Sequence, residues 1–239
     1  TDETPFDWFP GTLSENELSS IKHNGILLPL LVQAVANSKY LLVDGFKRFS
    51  YFATQSKVSL HENQALEFSC IILPESLAMK EVAEIRLQTL AAAGTDFSAI
   101  RVCRLLKKLL AYGFEKDEIV REVLPRLGLK SSVRLLRQLL DLQEMLLVQE
   151  QHQQFVQTDF LMSLSCEDLL PLLKFSQNEF PSIISLAEKM EVSGKKWRNL
   201  LQVLDEVSRL KQISAVEVLN YPEILEIFGR TSLQAPVRY

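Results

Sequence analysis

The first third of the chain alternates short apolar runs with polar breaks, and the rest repeats Leu at helical spacing. "TLSENELSSIKHNG" places Leu18 and Ile21 on one face, with Ser14 and Glu17 as a capping box and Gly25 as the stop, which predicts a helix. "ILLPLLVQAV", the break "ANSK" and "YLLVD" predict a hairpin with strands over 28–35 and 39–43. Pro29 suits a strand start or edge. After Gly45, Phe46, Phe49 and Ala53 recur at i, i+3 and i+7, a core-facing helical stripe. "LEFSCIIL" over 66–73 predicts a third strand and residues 76–94 a long helix.

From Phe97 onward the pattern is helical. One helix runs from a cap at Asp96 or Ser98 to a stop at Gly113. "EKDEIVREVL" predicts another, broken at Pro125, followed by a turn at Gly128 and a helix capped by Ser131. Four more helical stretches follow, the last an amphipathic one after Pro222. Phe175, Phe180 and Trp197 fall among Leu-rich helices and are expected in the core. The fold class is α+β: a small α/β domain over 1–94, a helical domain over 95–158 and a helical region over 159–239.

Charge changes this picture. The 239 residues carry a net −4. Residues 1–100 have 7 basic and 12 acidic side chains, residues 101–140 have 10 and 4, and residues 141–239 have 9 and 14. A basic block between acidic flanks allows one local surface for a polyanion and argues against a chain coated in nucleic acid. Solvated helices would give the same counts.

Cysteine and histidine narrow the chemistry. Cys70, Cys103 and Cys166 form neither a disulfide framework nor a zinc pattern, which points to a reducing cytoplasm. His23, His61 and His152 lack ligand spacing, and no metal ligand or catalytic residue is assigned. No stretch reaches the roughly 20 apolar residues of a membrane span, and no signal peptide is visible. A first residue of Thr1 is what an excised or processed chain would give.

Two stretches carry candidate chemistry. In "YLLVDGFKRFSYFA" a strand runs through Asp44-Gly45 into a helix. The first helical N–H groups lack intrahelical partners, and glycine lets a ligand approach the backbone. Gly45, Lys47 and Arg48 therefore make a candidate phosphate site. Cations in a first helical turn oppose the macrodipole by about 0.3–1 kcal/mol each. Either an anion compensates them, or the side chains reach water or a neighbouring carboxylate.

The second stretch, "DEIVREVLPRLGLKSSVRLLRQLL", offers a helix-turn-helix. Leu135, Leu136, Leu139 and Leu140 point inward. Ser131, Ser132, Arg134, Arg137 and Gln138 are candidates for base and backbone contact. Arg121, Arg126 and Lys130 would act on phosphates through charge. Arg101, Arg104, Lys107 and Lys108 would extend the footprint.

The order of these motifs resembles the ParB family, over residues 13 to 205. Ile21, Gly25, Ile26, Leu27, Pro29 and Val32 match its first box. Gly45, Lys47, Arg48 and the aromatic Phe49 match its second. The resemblance implies a ParB/sulfiredoxin-type N-terminal domain, a helix-turn-helix on double-stranded DNA, and CTP or another nucleotide held by its phosphates at the second box. It also implies a role in chromosome or plasmid partition or in transcription regulation, with a homodimer as one possible state. The chain departs from the pattern at Leu28 and Phe46, which replace a glutamine and a glutamate. Ile85 and Arg86 stand where the family has a Glu and an Asn beside nucleotide and metal. Neither offers the oxygen that Mg²⁺ requires, so hydrolysis of CTP is not expected. No cysteine lies in the Gly45–Arg48 turn, so sulfiredoxin chemistry is not expected either. The alternatives are an interaction scaffold that retains the fold without ligands, and a nucleotide-dependent phosphotransferase or nuclease of the same superfamily.

Overall fold

The computed structural model describes residues 5–6, 15–24, 28–37, 39–51, 69–92, 97–151, 159–192 and 194–219. Ser14, Gly25, Ala53, Asp96 and the helix expected after Pro222 lie outside them. The fold is α+β, with one three-stranded sheet and many helices. The chain divides into two compact units, one of residues 1–95 and 108–129, the other of 96–107 and 130–239.

In the first unit, α1 (Glu15–Asn24) precedes β1 (Leu30–Val35) and β2 (Lys39–Asp44). β1 and β2 pair antiparallel, with a register irregularity between Leu31 and Val32. β3 (Cys70–Leu73) runs parallel to β1, giving the order β2-β1-β3. The central strand is the apolar one: Leu30, Leu31 and Val32 are all buried. The expected third strand begins later than the sequence pattern does, since Ser69 precedes it as non-strand. Residues 46–51 form helix α2. Phe49 is not core-facing as the spacing predicts; it is 45% exposed. Phe46 on this helix is half-buried and lies beneath the Arg86 guanidinium.

Helix α3 (Met79–Ala92) buries Val82, Ala83, Arg86, Leu87 and Leu90 on one face. Gln33, itself buried, donates from Nε2 to Leu77 O at 2.9 Å and fastens the turn ahead of α3 to β1. Helix α4 (Ala99–Ala111) ends where the sequence places the stop. Gly113 has φ +92°, and the N–H groups of Gly113 and Phe114 donate to Leu110 O and Leu109 O. This is a Schellman closure, for which glycine is the favoured residue.

Pro125 does not break its helix. Helix α5 (Lys116–Glu118) passes into a π-turn (Ile119–Val123) and then into α6 (Leu124–Arg126). Proline has no N–H to give the carbonyl four residues back, and its ring crowds that carbonyl. The wider turn accommodates this, with Leu124 N–H bonding Ile119 O five residues back. Gly128, at φ +73°, closes the segment with a second Schellman pair.

The second unit contains α7 (Val133–Gln151), α8 (Asp159–Ser163), α9 (Cys166–Leu169) with a 3₁₀ turn (Leu170–Lys174), α10 (Phe180–Lys189), α11 (Gly194–Lys211) and α12 (Ala215–Leu219). Its core includes Phe180 and Trp197, as expected, whereas Phe175 is half-buried. Trp197 Nε1 donates to Asp168 O at 2.9 Å, and Phe160 meets the indole edge-on at 5.5 Å. Cys103 and Cys166 are buried here. Among the described residues, no helix is long and apolar enough to cross a membrane.

Candidate anion corner and nucleic-acid interface

The strand-to-helix corner is built as the sequence suggests but is filled from within. Gly45 is buried with φ +95°, a conformation that favours glycine. A β-carbon there would stand 2.5 Å from Leu30 Cδ2. The Gly45 N–H donates to Asp44 Oδ1 at 2.8 Å. Arg48 turns back and donates to Leu28 O, and to Pro29 O at 3.2 Å, with Asp44 Oδ2 4.0 Å from its guanidinium. Arg86, 8% exposed, reaches across from α3 to pair with Asp44 Oδ1.

One carboxylate thus stands between two guanidiniums at the helix start. For Arg48 a negative charge therefore comes from within, from Asp44, which it shares with Arg86. Lys47 is exposed beside this cluster and has contacts of its own. Nothing local in the sequence says that Asp44 and Arg86 meet. Only the inward turn of Arg86 is signalled, since Val82, Arg86 and Leu90 recur every four residues and put Arg86 on the inward face of its helix.

The helix-turn-helix candidate is divided between the units. Residues 116–126 belong to the first and α7 to the second. Six residues, 127–132, join them, more than the about 3–4 of the tight motif. In the first unit Arg121 and Arg126 are exposed, and Arg126 lies 3.8 Å from Glu122.

In the second unit, α7 is capped by Ser132 rather than Ser131. Leu135 N–H donates to Ser132 Oγ at 3.3 Å and Leu136 N–H to Ser132 O at 3.0 Å. The helix starts one residue later than expected, so the second of two serines sits three places before the acceptor-seeking N–H. Ser131 and Lys130 are exposed ahead of the cap. Leu136 and Leu139 are buried; Leu135 and Leu140 are half-buried. Arg134 and Arg137 are exposed on the opposite side, and Gln138 lies at the boundary.

Neither Arg134 nor Arg137 forms an ion pair among the described residues, in contrast to Lys174, Arg198 and Arg209. Arg134 and Gln138 line an open depression of 890 Å³ with Lys174, Arg198 and Arg209. There Lys174 and Arg209 lie 2.7 and 3.0 Å from Asp205, and Arg198 lies 3.4 Å from Glu167. Of the cations proposed to extend the footprint, Arg101, Arg104 and Lys108 are half-buried, while Lys107 is exposed with Glu144 at 4.0 Å.

A comparison with protein-family models and with curated proteins found no match to this chain.

Proposed function

We propose that the chain is a ParB-like DNA-binding protein of the partition or transcription-regulatory kind, acting on duplex DNA in the cytoplasm. The observation that carries this reading is the start of α7. Two exposed arginines without internal ion pairs stand one turn apart at the positive end of a capped helix. Arginine at such a position binds phosphate or reads guanine through N7 and O6. Lys130 and Ser131 precede it and are exposed as well. The ordered boxes around Gly25 and Gly45, and an α+β unit followed by helices, support the familial part of the reading.

The Gly45 corner fits a degenerate nucleotide pocket. Asp44 stands between Arg48 and Arg86 where a ligand's phosphates would otherwise supply charge, and the trio keeps a net positive charge. Any nucleotide must displace or join that cluster, and Lys47 is the exposed cation beside it.

Titration of the full chain against duplex DNA over a range of salt tests the reading. Binding that weakens steeply with salt is expected, because phosphate contacts release counterions. A salt-independent signal, or none at low ionic strength, contradicts it and favours the scaffold alternative.

A further inference from the structure

Helix α7 opens on an apolar residue. Val133 is 68% exposed, directly after the capping serine and directly before Arg134. A β-branched side chain adds little to helix stability, and exposing it leaves apolar surface in water. Single exposed apolar residues are ordinary, so exposure alone assigns nothing. The surroundings do. In this unit, Val133 and Leu210 are the large apolar side chains that stand exposed among the described residues.

The helical repeat places Val133, Arg137 and Glu144 along one side, with Arg134 and Asp141 beside them. All are exposed, and the internal face of Leu136, Leu139, Leu142 and Leu146 lies opposite. Charge along the exposed side reverses: Arg134 and Arg137 occupy the first two turns, Asp141 and Glu144 the next two. A polyanion is attracted to the first part and repelled by the second. Only the end that holds Val133 is suited to enter a groove of DNA. The major groove displays one apolar feature there, the C5-methyl of thymine.

We infer that Val133 is a specificity-determining residue that packs its isopropyl group against a thymine methyl, beside base contacts made by Arg134 or Arg137. The inference rests on the DNA-binding reading above and adds to it the chemistry of the preferred base.

The test begins with a duplex selected from a random pool by the full wild-type chain. Affinity is then measured for that duplex and for the same duplex with every thymine replaced by uracil. Loss of one buried methyl contact is expected to weaken wild-type binding by about fourfold. Val133→Ala is expected to bind both duplexes equally, and Val133→Thr, which keeps one methyl, to fall between. Equal wild-type binding to both duplexes overturns the inference, as does a Val133→Ala variant that stays as sensitive to uracil. Those results leave DNA binding itself intact. Failure of the wild type to bind any duplex overturns the underlying reading along with this one.

Discussion

Arg86 and Asp44 form an ion pair that joins α3 to the end of β2, across 42 residues of sequence. The arginine is 8% exposed, and its guanidinium also lies over the Phe46 ring at 5.8 Å. Removing the carboxylate takes the counter-charge from a buried cation that also meets Thr89 Oγ1 at 3.2 Å and an aromatic face. Asp44→Ala is therefore expected to destabilise the chain by about 2 kcal/mol. That is less than the ~3–5 kcal/mol of a fully buried pair, because the Asp44 side chain is 28% exposed. Adding Arg86→Met should recover most of the loss, since an apolar partner needs no counter-charge. Urea denaturation of the two variants and wild type checks both statements.

The pair also shows how far sequence reading reaches. The strand, glycine and helix around position 45 follow from local rules, because the turn chemistry and the apolar periods lie within a dozen residues. So do the stops at Gly113 and Gly128, each a left-handed residue that closes a helix. The partner of Asp44 is a long-range choice, made by how α3 packs. Helical spacing puts Arg86 inward but does not say what it meets. The two cations in the first helical turn invite an external anion on local grounds, and for Arg48 the fold supplies an internal one.

The cap of α7 separates two adjacent serines that sequence alone treats alike. Ser132→Ala is expected to cost about 1 kcal/mol, the usual loss of an N-cap hydroxyl. Ser131→Ala should stay within about 0.5 kcal/mol of wild type, because Ser131 is exposed and outside the helix. Thermal melts of both variants decide the register. A one-residue shift matters for function, since it sets which side chains follow the cap. Pro125 illustrates a different limit: proline reads as a helix break, and the chain absorbs it with a π-turn that no local propensity announces.

Glu179 ties two helix starts together. Its carboxylate accepts from Ser176 N–H at 2.8 Å, Ser176 Oγ–H at 2.7 Å and Ala215 N–H at the start of α12. Burial works against its ionisation, but these hydrogen bonds prevail and hold its carboxyl below the usual carboxylate range. A depressed value means that the folded state prefers the ionised form. The stabilisation is present above the unfolded value of about 4.3 and is lost as pH falls through the lower folded one. Wild type should therefore lose part of its melting temperature between pH 5 and pH 3, by rough reckoning from those values. Glu179→Gln should start lower and lose less over the same range. Parallel pH profiles of the two proteins contradict the assignment.

The cysteines should divide by burial. Burial, reinforced by the neighbouring Cys166, pushes the Cys103 thiol far up, and burial raises that of Cys166 to about 11. Thiolate is the reactive form, so both should resist alkylation in the folded protein near pH 8 while the exposed Cys70 is modified. Mass spectrometry of native and denatured samples reads the pattern. Because the folded state holds both protons more tightly, the pair stabilises the fold below the ordinary thiol value of about 8.5. That contribution is lost as pH rises from there through the folded values.

The central claim is that the start of α7 meets the phosphates and bases of duplex DNA. The most direct measurement is the salt dependence of DNA affinity for wild type and for Arg134→Ala/Arg137→Ala. The account predicts weaker binding and a slope of log affinity on log salt that is shallower by about 1, the unit lost with the arginine that contacts phosphate rather than a base. An unchanged slope and affinity in a variant that melts like wild type would contradict it.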